Sequence, residues 1–566
     1  MKKYFFILCA AMIATSCSKD EELKKADLTD VVVTGNLSDQ ITNENLLKIK
    51  HLTISGTISG EDWNILFEMA TKGCLEVLDM TNAKIVGKAN EERWNDDEIP
   101  KYEFVQSKTL KEVYLPTTLK IIGEEAFAEC YELGQVHFPE GLDSIAPRAF
   151  YKSGLSNELN LPSRLRVIAR QAFGWTKITK VTINSDIIAG KTYTQKDGTN
   201  GESSNYSSIY TIGGNSVFAY CENLSEVVVK EGCTMLEVGF QHCTSLSKVV
   251  LPSTLLTIGQ FDRRIEKLMK TSLPEDELEL MLYLGESSIA ALYSGTNGNY
   301  VFKDCTALTN ISLPDNLLYI GNDAFCSSSL KEIVIPDNVR ILWTGAFSKC
   351  ESLNKIKLPS KLRHIGTNCF KGCSGVRNIV IPDDVFYVAV SAFESCTSLK
   401  SVSFGYNLLS IGNKSFAGCA KLETVELPTK VLSIGKAAFE GCAGLAKASM
   451  SNNMTEIESS MFKDCLELRN VYIGGSTTII RSSAFQHCPR LVTITLPASV
   501  RELESYSFAY TGLKEVRALN CIPPSVDRNV FEGINLSKAT LLVPTSAKDA
   551  YQQAVVWSTF GQIQEL

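Results

Sequence analysis

Histidine is scarce in this chain. There are five in 566 residues, His51, His137, His242, His364 and His487, and none falls in a His-Glu-x-x-His or comparable metal-ligating spacing. A Gly-x-Ser-x-Gly elbow and a phosphate-cradling glycine loop are missing too. These gaps argue against hydrolytic, phosphoryl-transfer and metal-dependent chemistry, so neither catalysis nor a cofactor is expected. Positive charge is in deficit: 56 Lys and Arg against 63 Asp and Glu leave a formal charge of −7. That balance lacks the electrostatic footprint of a nucleic-acid binder. Beyond the first 16 residues no apolar run is long enough to cross a membrane.

What the chain has is a period. From Leu330 to Ala509 it repeats every 23 residues, and Cys350, Cys373, Cys396, Cys419, Cys442, Cys465 and Cys488 keep the interval. One unit reads Leu353-Asn-Lys-Ile-Lys-Leu-Pro359, then Leu362-Arg-His-Ile-Gly366, then Phe370-Lys-Gly-Cys373. A fixed period of this size marks a solenoid, whose units bury their apolar faces only against their neighbours. Leu-x-x-Ile-x-Leu predicts a short strand, ended by a proline that has no N–H for the ladder. The second apolar pair predicts another inward limb. Ile-Gly fits a corner where a positive φ is cheap. Phe and Cys three apart fit one turn that returns the chain.

The pattern runs from Leu110 to about 512 and resembles the BspA-like class of bacterial leucine-rich repeats. The resemblance implies a right-handed leucine-rich-repeat solenoid of parallel short strands with capping regions. Departures are few. Phe150, Phe173, Phe325 and Phe508 lack the cysteine three residues on, Gly405 replaces a proline, and Asn452-Asn-Met454 sits at another turn. Two intervals are long. Residues 187–208, rich in Gly, Ser, Asn and Tyr, read as a loop. Residues 260–299 contain Phe261–Lys270 and Leu273–Tyr283 at helical spacing, with Ser272 as a cap before Pro274, and predict a helical insertion.

The ends differ from the array. Lys2 and Lys3 precede an apolar stretch from Tyr4 to Ala14, a secretion signal over 1–16. Ala14-Thr-Ser-Cys17 resembles a lipobox, which makes Cys17 the lipidation site and attaches the protein to a membrane through acyl chains. The acidic Ser18-Lys-Asp-Glu-Glu22 is similar to surface-export signals of lipoproteins in some Gram-negative anaerobes. The expected location is therefore the outer membrane, facing outward. Residues 17–27 read as lipidated Cys and tether, 28–105 as a divergent N-terminal cap with a helix over Glu61–Ala70, 106–512 as the repeat array, and 513–566 as a C-terminal cap. In that last cap Ala539–Pro544 is a strand and Ala547–Trp557 a short helix.

Eleven of the 18 cysteines share the slot after phenylalanine. Stacked coils place them in one ladder of parallel Cβ vectors, a poor match for a disulfide dihedral near 90° and unable to surround a metal. They are expected to pack as reduced, apolar thiols. His242 and His487 share a Gln-His-Cys context and so one slot. The outward strand positions, such as Tyr114, His137, Val334, Lys357, Val380, Glu426, Tyr472 and Arg517, are mixed in character. A glycan platform there would need clustered aromatics, and only two tyrosines occur, far apart. The tyrosines of the insertions (Tyr193, Tyr206, Tyr210, Tyr283, Tyr293 and Tyr300) are candidate anchors for a partner or packing groups of the loops. The resemblance implies adhesion: non-catalytic binding of a host or bacterial surface protein. A polysaccharide of a nutrient-uptake system and a structural envelope role stand as alternatives. No individual ligand-binding residue is singled out.

Overall fold

A computed structural model describes residues 30–42, 45–87, 95–184, 187–189, 216–259 and 300–566. The described residues form two compact units, one of 30–255 with 300–307 and one of 256–259 with 308–566. Each is a leucine-rich-repeat solenoid of parallel strands with little helix. Among the described residues the strands pair in parallel, and in the regular coils of the second unit the register advances by one 23-residue period: Glu332 pairs Lys355, Ile333 pairs Ile356 and Val334 pairs Lys357. The second limb pairs the same way, Ile341 with His364 and Leu342 with Ile365. Three- and two-residue strands suffice because each coil turns sharply between them. Proline opens one of those turns by accepting rather than donating: the N–H of Leu362 reaches the carbonyl of Pro359 at 3.1 Å. Gly405 serves the same turn with Leu408 at 3.2 Å, and Ser451 does so with Met454 at 3.4 Å. The substitutions at these two units therefore change the residue and keep the corner.

The interior is columnar. In the first unit Phe104, Phe127, Phe150, Phe173, Phe218, Phe240 and Phe302 stack ring on ring, with centroids 4.9, 5.2, 5.2, 5.2, 5.3 and 5.9 Å apart. In the second unit nine such steps, each 5.2 to 5.9 Å, join Phe325 to Phe531. The period aligns identical rings, and offset stacking satisfies their quadrupoles. Each column ends against a tryptophan set edge-on. Trp63, on the helix Glu61–Thr71, meets Phe104 at 6.5 Å and 73°. Trp557 meets Phe531 at 5.8 Å and 69°. That tryptophan is held by a hydrogen bond from its Nε1 to the carbonyl of Pro524. The helix Lys548–Gln553 and the strands Thr540–Val543 and Gln562–Glu565 complete that end.

The Ile-Gly corners differ from expectation. Gly259 has φ +95°, but Gly123, Gly366, Gly412 and Gly435 are not in the left-handed region. They are glycines for space: a Cβ at Gly366 would lie 2.7 Å from the backbone carbon of Trp343 in the preceding coil. The left-handed backbone stands instead just before the cysteine, as at Lys349 (φ 57°), Ser395 (61°) and Asp464 (60°). Cys350 N–H bonds to the Phe347 carbonyl at 3.2 Å, closing a four-residue turn whose third residue needs a positive φ. Glycine relieves that slot at Gly372, Gly418 and Gly441.

The helix predicted over Glu61–Ala70 is present as Glu61–Thr71, with Trp63, Leu66, Met69 and Ala70 buried and Phe67 half-buried. Cys17, most of 187–208 and all of 260–299 lie outside the described residues, as do Tyr193, Tyr206, Tyr210, Tyr283 and Tyr293. Among the described residues no helix is long and apolar enough to cross a membrane.

Candidate binding surfaces

The middle residue of each three-residue strand points inward, so its two neighbours face solvent. On the first unit that face is laced with ion pairs between coils. Glu158 meets Lys180 at 2.9 Å, Glu226 meets Lys248 at 2.9 Å, and Glu76 takes Lys111 at 2.7 Å and Lys50 at 3.3 Å. The lysine partners hold Glu76 and Glu226 below the usual carboxylate range. Tyr114 and His137 stack at 3.9 Å and 7°, and His137 Nε2 lies 2.8 Å from Glu112. The hydrogen bond from His137 lowers Glu112, and the one shared with Glu112 raises the Tyr114 phenol. Thr182, which occupies the outward slot of its repeat, is buried. The strand Lys177–Ile183 is seven residues long and buries Val181, Thr182 and Ile183 in succession.

The second unit's face is patterned differently. Val334 and Val380 are 69% and 65% exposed, two coils apart, with exposed Lys357 between them. Glu332–Lys355 at 3.3 Å and Glu426–Lys447 at 2.8 Å flank this stretch. Farther along, Tyr472 is half-exposed and donates to Asn452 Oδ1 at 2.9 Å. Two exposed valines on one ridge of neighbouring coils give the second unit an apolar spot that the ion-paired face of the first unit lacks.

A second cluster was not anticipated from the sequence. Tyr151, Trp175, Tyr220 and His242 line up at the turns of consecutive coils of the first unit. Trp175 stacks on Tyr220 at 4.1 Å, Tyr220 on His242 at 4.5 Å, and Tyr151 meets Trp175 edge-on at 5.2 Å. Arg148 and Lys152 lie 4.9 and 5.2 Å from the Tyr151 ring, and Asp304 sits 3.2 Å from His242 Nε2. The signal in the sequence is position: Trp175, Tyr220 and His242 each follow a column phenylalanine by two residues. His487 occupies the same slot, next to Asp464 at 3.0 Å. Trp175 and Tyr220 spend ring faces on each other, so they present edges rather than a flat sugar-stacking platform.

The cysteine slot proved to be a hydrogen-bonding one. All 16 described cysteines are free thiols. The eleven after phenylalanine each donate to the phenylalanine carbonyl of the preceding coil, from Cys130 to Phe104 at 2.9 Å to Cys488 to Phe462 at 3.2 Å. Where cysteine is missing, Ser153, Thr176, Ser328 and Thr511 stand in its place. Thr176 and Thr511 turn their hydroxyls to their own coil's phenylalanine carbonyl, at 2.9 and 2.8 Å. Burial pushes the thiols of Cys130, Cys350, Cys396, Cys442 and Cys488 up to about 12. These are packing donors, opposite in character to activated thiolates. Among the described residues no group of three His, Cys, Asp or Glu side chains is arranged to hold a metal ion.

Comparison with known proteins agrees with this architecture. The family model of the BspA type leucine rich repeat region matches in six copies, over 97–212, 157–263, 296–423, 364–492, 409–537 and 478–554. No curated protein matches the sequence. Similar solved structures include a leucine-rich repeat protein from Bacteroides ovatus, 23% identical, covering 62% of this chain and 86% of that one with a TM-score of 0.44. Another is the T. pallidum leucine-rich repeat protein, 31% identical over 28% of this chain and 78% of its own, with a TM-score of 0.28. The pneumococcal vaccine antigen PcpA is 15% identical over 83% of this chain and 84% of its own, with a TM-score of 0.31.

Proposed function

The chain belongs to the BspA-type leucine-rich-repeat family, and on that footing we propose that it is a cell-surface lipoprotein that binds a protein partner without catalysis. The observation that carries this reading is the exposed run Val334–Lys357–Val380, apolar side chains held outward on short parallel strands of successive coils, with ion pairs nearby. Burying two valines and the stem of a lysine against a complementary protein gains apolar contact without stranding a charge, because the neighbouring acids and bases already pair with each other. A leucine-rich-repeat solenoid is a scaffold for such binding, and the family tie favours the cell surface. Attachment through Cys17 and an outward-facing position on a Gram-negative outer membrane belong to the same proposal.

The test is binding of residues 18–566 to an array of matrix proteins, bacterial surface proteins and polysaccharides. Val334→Asp with Val380→Asp should weaken a protein hit at least tenfold while leaving the melting temperature in place. A hit confined to polysaccharides, or one indifferent to both valines, would overturn the reading. The anchor has its own test: Cys17→Ala should move the full chain from the membrane to the soluble fraction.

A further inference from the structure

One cation at the turns of the first unit has no counter-charge. Arg148 and Lys152 flank the column residue Phe150, and Arg170 precedes Phe173 in the next coil. Arg148 is anchored: Nη1 reaches Glu125 at 3.1 Å, Nε donates to Gln171 at 3.4 Å, and the guanidinium carbon lies 4.9 Å from the Tyr151 ring. Arg170 is not. It forms no ion pair among the described residues, and its buried Nε has no hydrogen-bond partner. Burial, and then the Arg148 guanidinium, hold its pKa below the usual arginine value. A partly desolvated cation beside a second one is destabilised until an anion completes the group. Lys152 adds a third positive charge, 5.2 Å from the same Tyr151 ring. The acids of the preceding coil are already engaged, Glu125 by Arg148 and Glu129 by Gln106 at 2.9 Å. The aromatic file continues from this corner. Trp175 and Tyr220 are half-buried, with φ of 59° and 62°. Left-handed backbone is costly for residues of that size, and the same slot holds glycine at Gly372, Gly418 and Gly441. A bulky ring kept there, half in solvent, is not something the packing of the coil requires.

We propose that Arg148, Arg170, Trp175 and Tyr220 form a docking site for an acidic peptide segment of a partner protein, which sets a carboxylate on Arg170 beside Arg148 and an apolar side chain against the ring edges. The chemistry selects that occupant. A guanidinium fork matches a carboxylate in one plane, and Arg170 brings an unspent Nε–H to it. Trp175 and Tyr220 spend their faces on each other at 4.1 Å. The edges that remain suit an apolar side chain and offer no flat platform to a sugar ring. Tryptophan, tyrosine and arginine are also the residues on which the binding energy of protein contacts concentrates. The chain as a whole carries a formal charge of −7, so a cationic corner steers an acidic segment to this place and away from the rest of the surface. The site shares no residue with the Val334–Lys357–Val380 run and holds whether or not that run binds.

The test uses residues 18–566 and a printed array of dodecapeptides in which Asp or Glu alternates with Leu or Phe. Each peptide stands beside its Asn or Gln counterpart, and polygalacturonate is printed as an acidic polysaccharide. Acidic peptides should retain the protein at least tenfold better than their amide counterparts. Arg170→Gln should abolish that preference with the circular dichroism spectrum unchanged, and Arg170→Lys, which keeps the charge and loses the fork, should fall between. Arg166→Gln removes another cation from the same coil, one already paired with Asp143 at 2.7 Å, and should bind as the unaltered chain does. An equal loss in Arg166→Gln would mean general charge attraction and would overturn the site. Equal retention of acidic and amide peptides, or retention on polygalacturonate alone, would overturn it too. In a second measurement p-benzoylphenylalanine replaces Tyr220, and the retained peptide should crosslink there on illumination. A peptide that is still bound but does not crosslink would refute the placement.

Discussion

The thiol of Cys373 donates to the carbonyl of Phe347 in the preceding coil at 3.0 Å. The ring of Phe347 stacks at 5.4 Å on Phe370, which opens the turn that Cys373 ends. One residue pair thus ties two coils by a hydrogen bond, and the next by a ring contact. The Phe347 carbonyl also accepts from the Cys350 N–H, so the thiol is its second donor, and losing one such hydrogen bond costs about 0.5–1.5 kcal/mol. Cys373→Val should therefore lower stability by roughly that amount, while Cys373→Ser, which offers a hydroxyl as Ser328 does in the same slot, should cost less. Urea unfolding of both variants decides it. Equal losses would mean that volume, not the hydrogen bond, governs the slot.

Phe393 lies between Phe370 and Phe416, 5.2 Å from each. Phe393→Ala should cost about 3–5 kcal/mol, the usual range for emptying a core phenylalanine site. Because each coil touches only its neighbours, the loss of protection should be local. Hydrogen exchange should accelerate most in the coils of Phe370, Phe393 and Phe416. A uniform acceleration across all of 308–566 would contradict this.

Two glycines should fail for different reasons. Gly366→Ala puts a Cβ 2.7 Å from backbone of the preceding coil, and something must shift. Gly441→Ala meets nothing nearer than 3.8 Å but holds a φ of +70°. Ala437 already accepts φ 56°, so Gly441→Ala should cost only the left-handed penalty of about 1–2 kcal/mol. Melting temperatures should fall further for Gly366→Ala, and the reverse order would sink the spatial argument.

His364 gives a pH dependence. Its folded value of about 4 lies below the unfolded value near 6.5. Between the two the unfolded chain binds the proton and the folded chain does not, so stability falls as pH drops from about 6.5 to about 4 and levels off below. The gap corresponds to about 3 kcal/mol at most. Denaturation of the unaltered chain and His364→Gln across pH 7.5 to 4 should show the difference narrowing on acidification, and a constant difference would rule the effect out.

The buried ladder thiols should be silent to Ellman's reagent at pH 8, because burial holds them far above that pH. With Cys17 replaced, exposed Cys521 should react first and Cys74 more slowly, with the remainder appearing on denaturation. Fast native reaction of Cys396 or Cys442 would show that the coils open locally.

Much of this was legible from spacing. The 23-residue interval foretold the register of Glu332 on Lys355, and Phe347 and Cys350, three apart, foretold one turn. The helix at Glu61 was readable because Trp63, Leu66 and Ala70 fall on one face. The corner glycines misled. Glycine answers equally to a positive φ and to want of space, and a single sequence does not separate the two. The aromatic file of Trp175, Tyr220 and His242 escaped notice because its members are some 22 to 45 residues apart and only the fold superposes them.

By itself the sequence determined the repeat, its parallel register and the residues that fill the columns, because a chain of near-identical units has one way to bury all its apolar slots at once. Tertiary structure alone decided what each slot does. A cysteine becomes a hydrogen-bond donor only because the preceding coil's phenylalanine carbonyl lies 3.0 Å away. An outward position such as Thr182 becomes buried only where its strand packs along a longer ladder. Both depend on distances between coils, which no interval along the chain records.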